Sequence, residues 1–113
     1  MKTMPNIART LAALSVAGVA ASAHANYVDL VNDTDQTILE FHVRHAGGRG
    51  PGPDILIAPP ILFSGSHALI DVHDENPWHC LFNFTTVMND GQIAHERNVN
   101  VCGDPIVYTV YSR

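Results

Sequence analysis

Beyond residue 25 the sequence contains no lysine and only four arginines, at positions 44, 49, 97 and 113. All eleven acidic residues lie in the same stretch, so residues 26–113 carry a formal charge of −7 when histidine is neutral. Phosphate binding needs clusters of lysine and arginine, and their absence argues against a nucleic-acid partner. A cationic or basic partner fits the charge better, although acidity also serves solubility by itself.

Long apolar runs are equally scarce, and the one present lies near the N-terminus. Two basic residues precede the run 11–21, and Ala23 and Ala25 place small residues three and one positions before a cleavage point. This layout is typical of a secretory signal peptide, and the run is too short to span a bilayer. We therefore expect a signal peptide over residues 1–25, and a periplasmic or secreted mature protein that begins at Asn26 and has no membrane attachment.

Cysteine occurs only twice, at Cys80 and Cys102, without the C-x-x-C spacing of redox pairs and many metal sites. The 88 residues of the mature chain suffice for one small domain with a modest core, for which an additional constraint is expected. Because an exported protein meets an oxidising compartment, we predict a disulfide between the two cysteines. Closing a loop of this length stabilises a fold by about 3 kcal/mol.

The mature sequence alternates apolar and polar residues in short segments separated by turn residues, and it shows no helical periodicity. A period of two is typical of half-buried strands. The fold class predicted is all-β: a small antiparallel β-sandwich or barrel of about seven strands in a single domain, 26–113. The predicted strands are 27–31, 36–45, an interrupted edge segment at 55–57 and 61–63, 67–73, 80–88, 93–101 and 106–111.

The strongest local signal is Asp90-Gly91, which predicts a tight hairpin between two of these strands. The hairpin sets a register with two characteristic pairs: Phe82 with Val99, and Met88 with Ile93. In this register Cys102 lies on the wrong face for a simple cross-strand bond to Cys80. Either a β-bulge intervenes, or the strand has ended before Cys102 and the chain turns back.

Several segments resemble a group of small exported bacterial proteins that share the pair of cysteines. The resemblance covers nearly the whole mature length and is carried by 31–34, 36–38, 80–84, 89–91 and 98–102. It implies export, a disulfide and a β-rich fold, but no active site. Some members carry an argininosuccinate lyase label, yet that enzyme is large, helical and cytosolic, and 88 exported residues cannot supply its fold. The segment 71–79 departs from the short acidic, glycine-rich loop of the group.

Histidine is unusually frequent in the mature chain, at positions 42, 45, 67, 73, 79 and 95. Imidazole and carboxylate groups together bind zinc, copper and nickel. Alternation places three candidate ligands on one strand face, and a fourth follows; the candidate metal site is His67, Asp71, His73 and His79, with Asp74 and Glu75 nearby. No recognised zinc spacing frames them, so surface histidines and pH sensing remain alternatives.

Other chemistries find weaker support. The carboxylates at positions 33, 35, 71, 74 and 75 lack the pattern of a calcium loop. Ser64 and Ser66 precede His67 without a nucleophile-elbow motif, so we predict no catalytic residues. Trp78 has two interpretations: a partner-binding residue, since tryptophan is favoured at binding hot spots, or a core side chain that covers the disulfide.

These observations favour a non-enzymatic exported β-domain that binds an unknown protein or small ligand through its loops or an outer sheet face. One alternative is a periplasmic protein that binds or buffers Zn, Cu or Ni, the only cofactors the sequence suggests. Another is a small inhibitor or immunity protein that acts against an exported toxin. The sequence does not determine the oligomeric state.

Overall fold

The computed structural model describes residues 26–112, and the predicted signal peptide lies outside them. This part of the chain is built from strands and connecting loops, without helix. The six strands are β1 (Tyr27–Asp33), β2 (Ile38–His45), β3 (His67–Asp71), β4 (Leu81–Met88), β5 (Ile93–Asn100) and β6 (Ile106–Tyr111). Between residues 26 and 112 no helix has the length and apolarity needed to cross a membrane.

The strands form two three-stranded sheets, one with the order β3-β1-β6 and one with the order β2-β4-β5. Most neighbours are antiparallel, as expected, but β1 and β6 run parallel. The expectation of a purely antiparallel fold is therefore wrong for this pair. Parallel strands need a long connection, and the first and last strands have the rest of the domain between them.

The segment at 55–57 and 61–63, predicted as an edge strand or an extended crossing segment, forms no strand, so the count is six strands and not seven. The segment instead follows β2 through two isolated bridges, Ile38 with Leu62 and His42 with Asp54. The Asp54 carboxylate accepts the Phe41 N–H at 2.9 Å, where a neighbouring strand would offer a carbonyl. Pro59-Pro60 lies between the two bridges and supplies no N–H donor, which prevents a continuous ladder.

The core lies between the two sheets and follows the predicted alternation closely. Val28 and Leu30 of β1 and Phe82 and Phe84 of β4 are each exposed by 1% or less. Phe84 contacts Phe41 within its own sheet, with ring centroids 5.0 Å apart, and Tyr108 of the other sheet at 5.2 Å. Such edge-to-face contacts add to the free energy of apolar burial and join the two layers.

The predicted hairpin register holds at one end only. Phe82 pairs with Val99 as expected, but from Phe84 to the turn the partners shift by one residue. Arg97 and Asn98 both lie opposite Asn83, forming a β-bulge in which Asn98 has a positive φ of 57°. The shift turns Ile93 away from the core, and this residue is 55% exposed to solvent. A second bulge, next to Ile38, likewise leaves Leu39 38% exposed against expectation.

The predicted disulfide is confirmed: Cys80 and Cys102 are bonded, with their Cα atoms 5.2 Å apart. Of the two routes left open, the structure uses the second. β5 ends at Asn100, and the side chain of that residue accepts the Cys102 N–H at 3.0 Å. Gly103 then turns the chain with a φ of +96°. The bulge in β5 lies further along the hairpin and plays no part in placing Cys102.

Candidate functional site

The loop between β3 and β4 presents the most exposed large apolar side chain of the described residues. We name its residues 74–79 the Trp78 loop. Trp78 is 86% exposed. The interpretation of Trp78 as a core residue over the disulfide is therefore wrong. The adjoining Val72, by contrast, is fully buried. The chain thus passes from the core to the surface and back to the disulfide within eight residues, and Trp78 faces solvent.

Side-chain hydrogen bonds fix the shape of the Trp78 loop. Asp74 accepts the Asn76 N–H through Oδ1 at 3.0 Å and the His79 Nδ1–H through Oδ2 at 2.6 Å. The Asn76 side-chain oxygen accepts the Trp78 N–H at 2.9 Å. Aspartate and asparagine at such positions imitate a backbone turn. Since Cys80 follows directly, the loop is held by its own side chains at one end and by the disulfide at the other.

His45, the last residue of β2, stacks on His79 of the Trp78 loop, with ring centroids 4.0 Å apart and an angle of 21° between planes. The Asn76 side-chain oxygen accepts the Trp78 N–H, which turns the amide nitrogen of Asn76 toward His79. That amide N–H donates to His79 Nε2, 3.2 Å away. His45 Nδ1 accepts the Gly47 N–H at 3.2 Å. These bonds tie the stacked rings to the Trp78 loop on one side and to the turn after β2 on the other.

Asp74 also has a perturbed acidity. Burial acts to raise the pKa of its carboxyl group, but the hydrogen bonds from His79 and the Asn76 N–H outweigh burial and lower the pKa. The ionised carboxylate is therefore the form that the loop favours. Its side chain is 23% exposed, so the group is shielded from much of the solvent screening that weakens surface pairs.

The four residues predicted to bind metal are placed in three separate pairs. His67 bonds through Nδ1 to Asp29 of β1 at 2.8 Å, and His73 bonds to Asp71 at 3.2 Å. His79 bonds to Asp74, as described above. Among residues 26–112 no group of three or more His, Cys, Asp and Glu side chains lies in an arrangement that holds a metal ion. A site combining all four residues stays a prediction.

A second candidate cluster surrounds His42, on the side of β2 that does not pair with β4, and the sequence does not predict it. His42 donates through Nδ1 to the Gly52 carbonyl at 2.7 Å and through Nε2 to the Glu40 carboxylate at 2.6 Å. Because both partners are acceptors, the protonated ring satisfies both bonds at once. Burial acts to lower the pKa of His42, but these bonds and the charges of Glu40 and Asp54 raise it above 6.5.

The only local signal for this cluster is the i, i+2 spacing of Glu40 and His42, which places them on one face of a strand. The second acceptor comes from the glycine-rich loop. Gly52 has a φ of +81°, and a Cβ added there would lie 2.3 Å from the Val43 carbonyl oxygen. Glycine therefore lets this loop approach β2 closely enough to reach the histidine.

Comparison with known proteins supports the architecture alone. No family model matches the sequence, and no curated protein matches it. A similar solved structure is the NMR structure of a protein from Eubacterium rectale, with a TM-score of 0.54. The two chains are 11% identical, and the match covers 78% of each. At this identity the likeness shows the fold and carries no information about ligands or activity.

Proposed function

We propose that this protein is exported, is stapled by its disulfide, and acts without catalysis as a binding module whose contact surface is the Trp78 loop. The N-terminal signal pattern and the Cys80–Cys102 bond support export together, because disulfides persist in oxidising compartments. The small acidic domain then acts in the periplasm or outside the cell.

One observation carries the proposal: a tryptophan that is 86% exposed projects from a loop whose shape is already fixed. A single exposed side chain of this size costs solvation free energy in the unbound protein, and tryptophan dominates many binding interfaces. The bonds made by Asp74 and Asn76 restrain the loop before binding. Binding therefore forfeits little conformational entropy at this surface.

The loop also indicates the chemistry of its partner. Glu75 is exposed beside Trp78, and Asp74 is only partly buried. The whole mature chain is acidic, with a formal charge of −7 over residues 26–113. An apolar pocket for the indole, surrounded by arginine or lysine side chains, complements this surface in shape and in charge. We therefore assign a basic protein as the partner class.

The test compares Trp78→Ala with Phe63→Ala as a matched control. Phe63 is also aromatic and 62% exposed, but it follows Leu62, which is bridged to Ile38 at the start of β2. His45, which stacks on His79 of the Trp78 loop, lies at the other end of that strand, about 23 Å from Ile38. Each protein, exported with its own leader, is immobilised and exposed to periplasmic extract, and the captured proteins are quantified by mass spectrometry.

We expect the wild type and Phe63→Ala to capture the same basic protein, and Trp78→Ala to lose at least nine-tenths of it. Mixing the purified pair then changes the fluorescence of Trp78, which is the only tryptophan in the chain. Equal capture by both variants would contradict the assignment of the surface. A captured exported toxin would make the module an inhibitor or immunity protein.

A further inference from the structure

The first residue of the predicted mature chain lies beside two of the sequence-predicted metal ligands. The Asn26 backbone nitrogen is 3.4 Å from Asp71 Oδ1, and the His73 Nδ1 atom is 3.2 Å from the same oxygen. The position of Asn26 is fixed by the sheet, because Tyr27 pairs with Asp71 and the Val72 N–H donates to the Asn26 carbonyl at 2.8 Å. Three polar groups therefore converge at the end of β3.

We infer that removal of residues 1–25 turns this nitrogen into an α-amine and so creates a binding site for a divalent transition-metal ion. The donors are the Asn26 α-amine, the Asp71 carboxylate and the His73 imidazole. This inference rests on the proposed export, because cleavage must occur after Ala25. In the unprocessed chain the same nitrogen belongs to a peptide bond, whose delocalised lone pair makes it a much poorer metal ligand than an amine.

The spacing of the donors fits such an ion. Ligands that surround a tetrahedral metal at about 2.0–2.1 Å are about 3.3–3.4 Å from one another. The separations from Asp71 Oδ1 to the Asn26 nitrogen, 3.4 Å, and to His73 Nδ1, 3.2 Å, lie close to this value. For a hydrogen bond the Asn26 distance is long, since N–H donors typically lie about 2.9–3.0 Å from their acceptors.

Access and donor chemistry agree with this assignment. The side chain of His73 is 62% exposed and that of Asp71 is 40% exposed, so an ion reaches both groups from solvent, and water fills its remaining positions. Two nitrogens and one carboxylate suit Cu(II), Ni(II) and Zn(II) better than the hard ions Mg²⁺ and Ca²⁺. An α-amine has an ordinary pKa of about 7.7–8.0, so the metal displaces a proton from it near neutral pH.

The composition of the chain permits a selective test. Residues 26–113 contain no lysine, so a reagent that acetylates primary amines modifies the α-amine of Asn26 and no side-chain amine. The processed protein is titrated calorimetrically with Cu(II), Ni(II) and Zn(II) salts before and after acetylation. Asp71→Asn and His73→Ala remove the other donors, and His95→Ala on β5 is the matched control, because His95 is exposed and bonded to Thr85.

We expect one ion per protein, with Cu(II) bound most tightly. Acetylation, Asp71→Asn and His73→Ala should each weaken binding at least tenfold, whereas His95→Ala changes it less than twofold. When the His73→Ala variant is acetylated, its metal affinity should fall little further, because the site is already incomplete. Unchanged binding after acetylation would overturn the site, and so would the absence of binding by the processed protein.

Failure of the site and failure of the proposed function are distinguishable. A purified protein whose mass still includes residues 1–25 would contradict export and remove the premise of the site. A processed protein that binds its partner through Trp78 but binds no metal would overturn the site alone. Trp78→Ala should bind metal as the wild type does, since the site uses none of the Trp78 loop.

Discussion

Two histidines of β2, three positions apart, occupy opposite environments. His42 points toward acceptors on both sides, the Gly52 carbonyl and the Glu40 carboxylate, and its pKa is raised. His45 accepts a backbone N–H and stacks on the ring of His79. Strand alternation explains why they face different neighbours, but it does not determine which hydrogen-bond partners they meet.

The difference shows that partners from distant loops set the hydrogen bonds and contacts of a histidine. The glycine-rich loop reaches His42 with a carbonyl, whereas the Trp78 loop reaches His45 with another imidazole. The His42 side is held by hydrogen bonds and by close backbone approach. The His45 side is held by the disulfide and by the Asp74 carboxylate. The two regions should therefore respond differently to reduction, to added side-chain volume and to pH.

The largest effect is expected from removing the disulfide, which belongs to the His45 side. Replacing Cys80 and Cys102 together by alanine should lower the free energy of unfolding by about 3 kcal/mol, because the unfolded chain regains the entropy of a 22-residue separation. Urea titration followed by circular dichroism measures the loss. A loss below about 1 kcal/mol would mean that the hydrogen bonds of the Trp78 loop hold this side of the domain together without the disulfide.

The next effect tests close packing on the His42 side. Gly52→Ala should destabilise the fold by about 2 kcal/mol, because it combines a positive φ with a Cβ placed 2.3 Å from the Val43 oxygen. Gly50→Ala is the matched control: its φ is +72°, yet nothing lies within 4 Å of the added atom, so about 1 kcal/mol is expected. Equal losses, measured by urea titration, would show that the loop yields to the added methyl group.

A smaller effect concerns the charge on His42. Since folding raises the pKa of His42, the stabilisation is complete below about 6.5 and is lost as the pH rises through the raised value. His42→Gln should therefore cost about 1 kcal/mol more at pH 5 than at pH 9. Glu40→Gln removes the carboxylate and should reduce this dependence, as comparison of single and double variants at both pH values will show. A cost independent of pH would contradict the cationic ring.

The smallest effect, and one of opposite sign, is expected at Asp74. Folding lowers the pKa of this carboxyl group below 3.8, so its stabilisation is present above that pH and is lost as the pH falls through the lowered value. Asp74→Asn should cost less than about 1 kcal/mol at pH 6, and the cost should shrink as the pH falls below 3.8. Glu75→Gln, exposed on the same loop, controls for net charge. A larger cost at pH 3 than at pH 6 would refute the sign.

Features set by near neighbours could be predicted from the sequence. The alternation in β4 and the turn at Asp90-Gly91 appear as expected, because strand period and turn preference are properties of adjacent residues. The predicted register is wrong from Phe84 to the turn and holds only on the far side of the bulge, where Phe82 pairs with Val99. Nothing in the sequence marks Asn98 as the residue that bulges.

The candidate site depended far less on local pattern. The sequence allows Trp78 to be a binding residue or a core residue, and only the folded loop excludes the core interpretation. Asp71 and His73 are neighbours as predicted, but the third group beside them is the Asn26 nitrogen. The sequence by itself determined six of the strands, the hairpin turn and the cysteine pair. Tertiary structure decided the hydrogen-bond partners of each histidine, the exposure of Trp78 and the parallel pairing of β1 with β6. Each of these depends on groups that are distant in sequence and that meet only after folding.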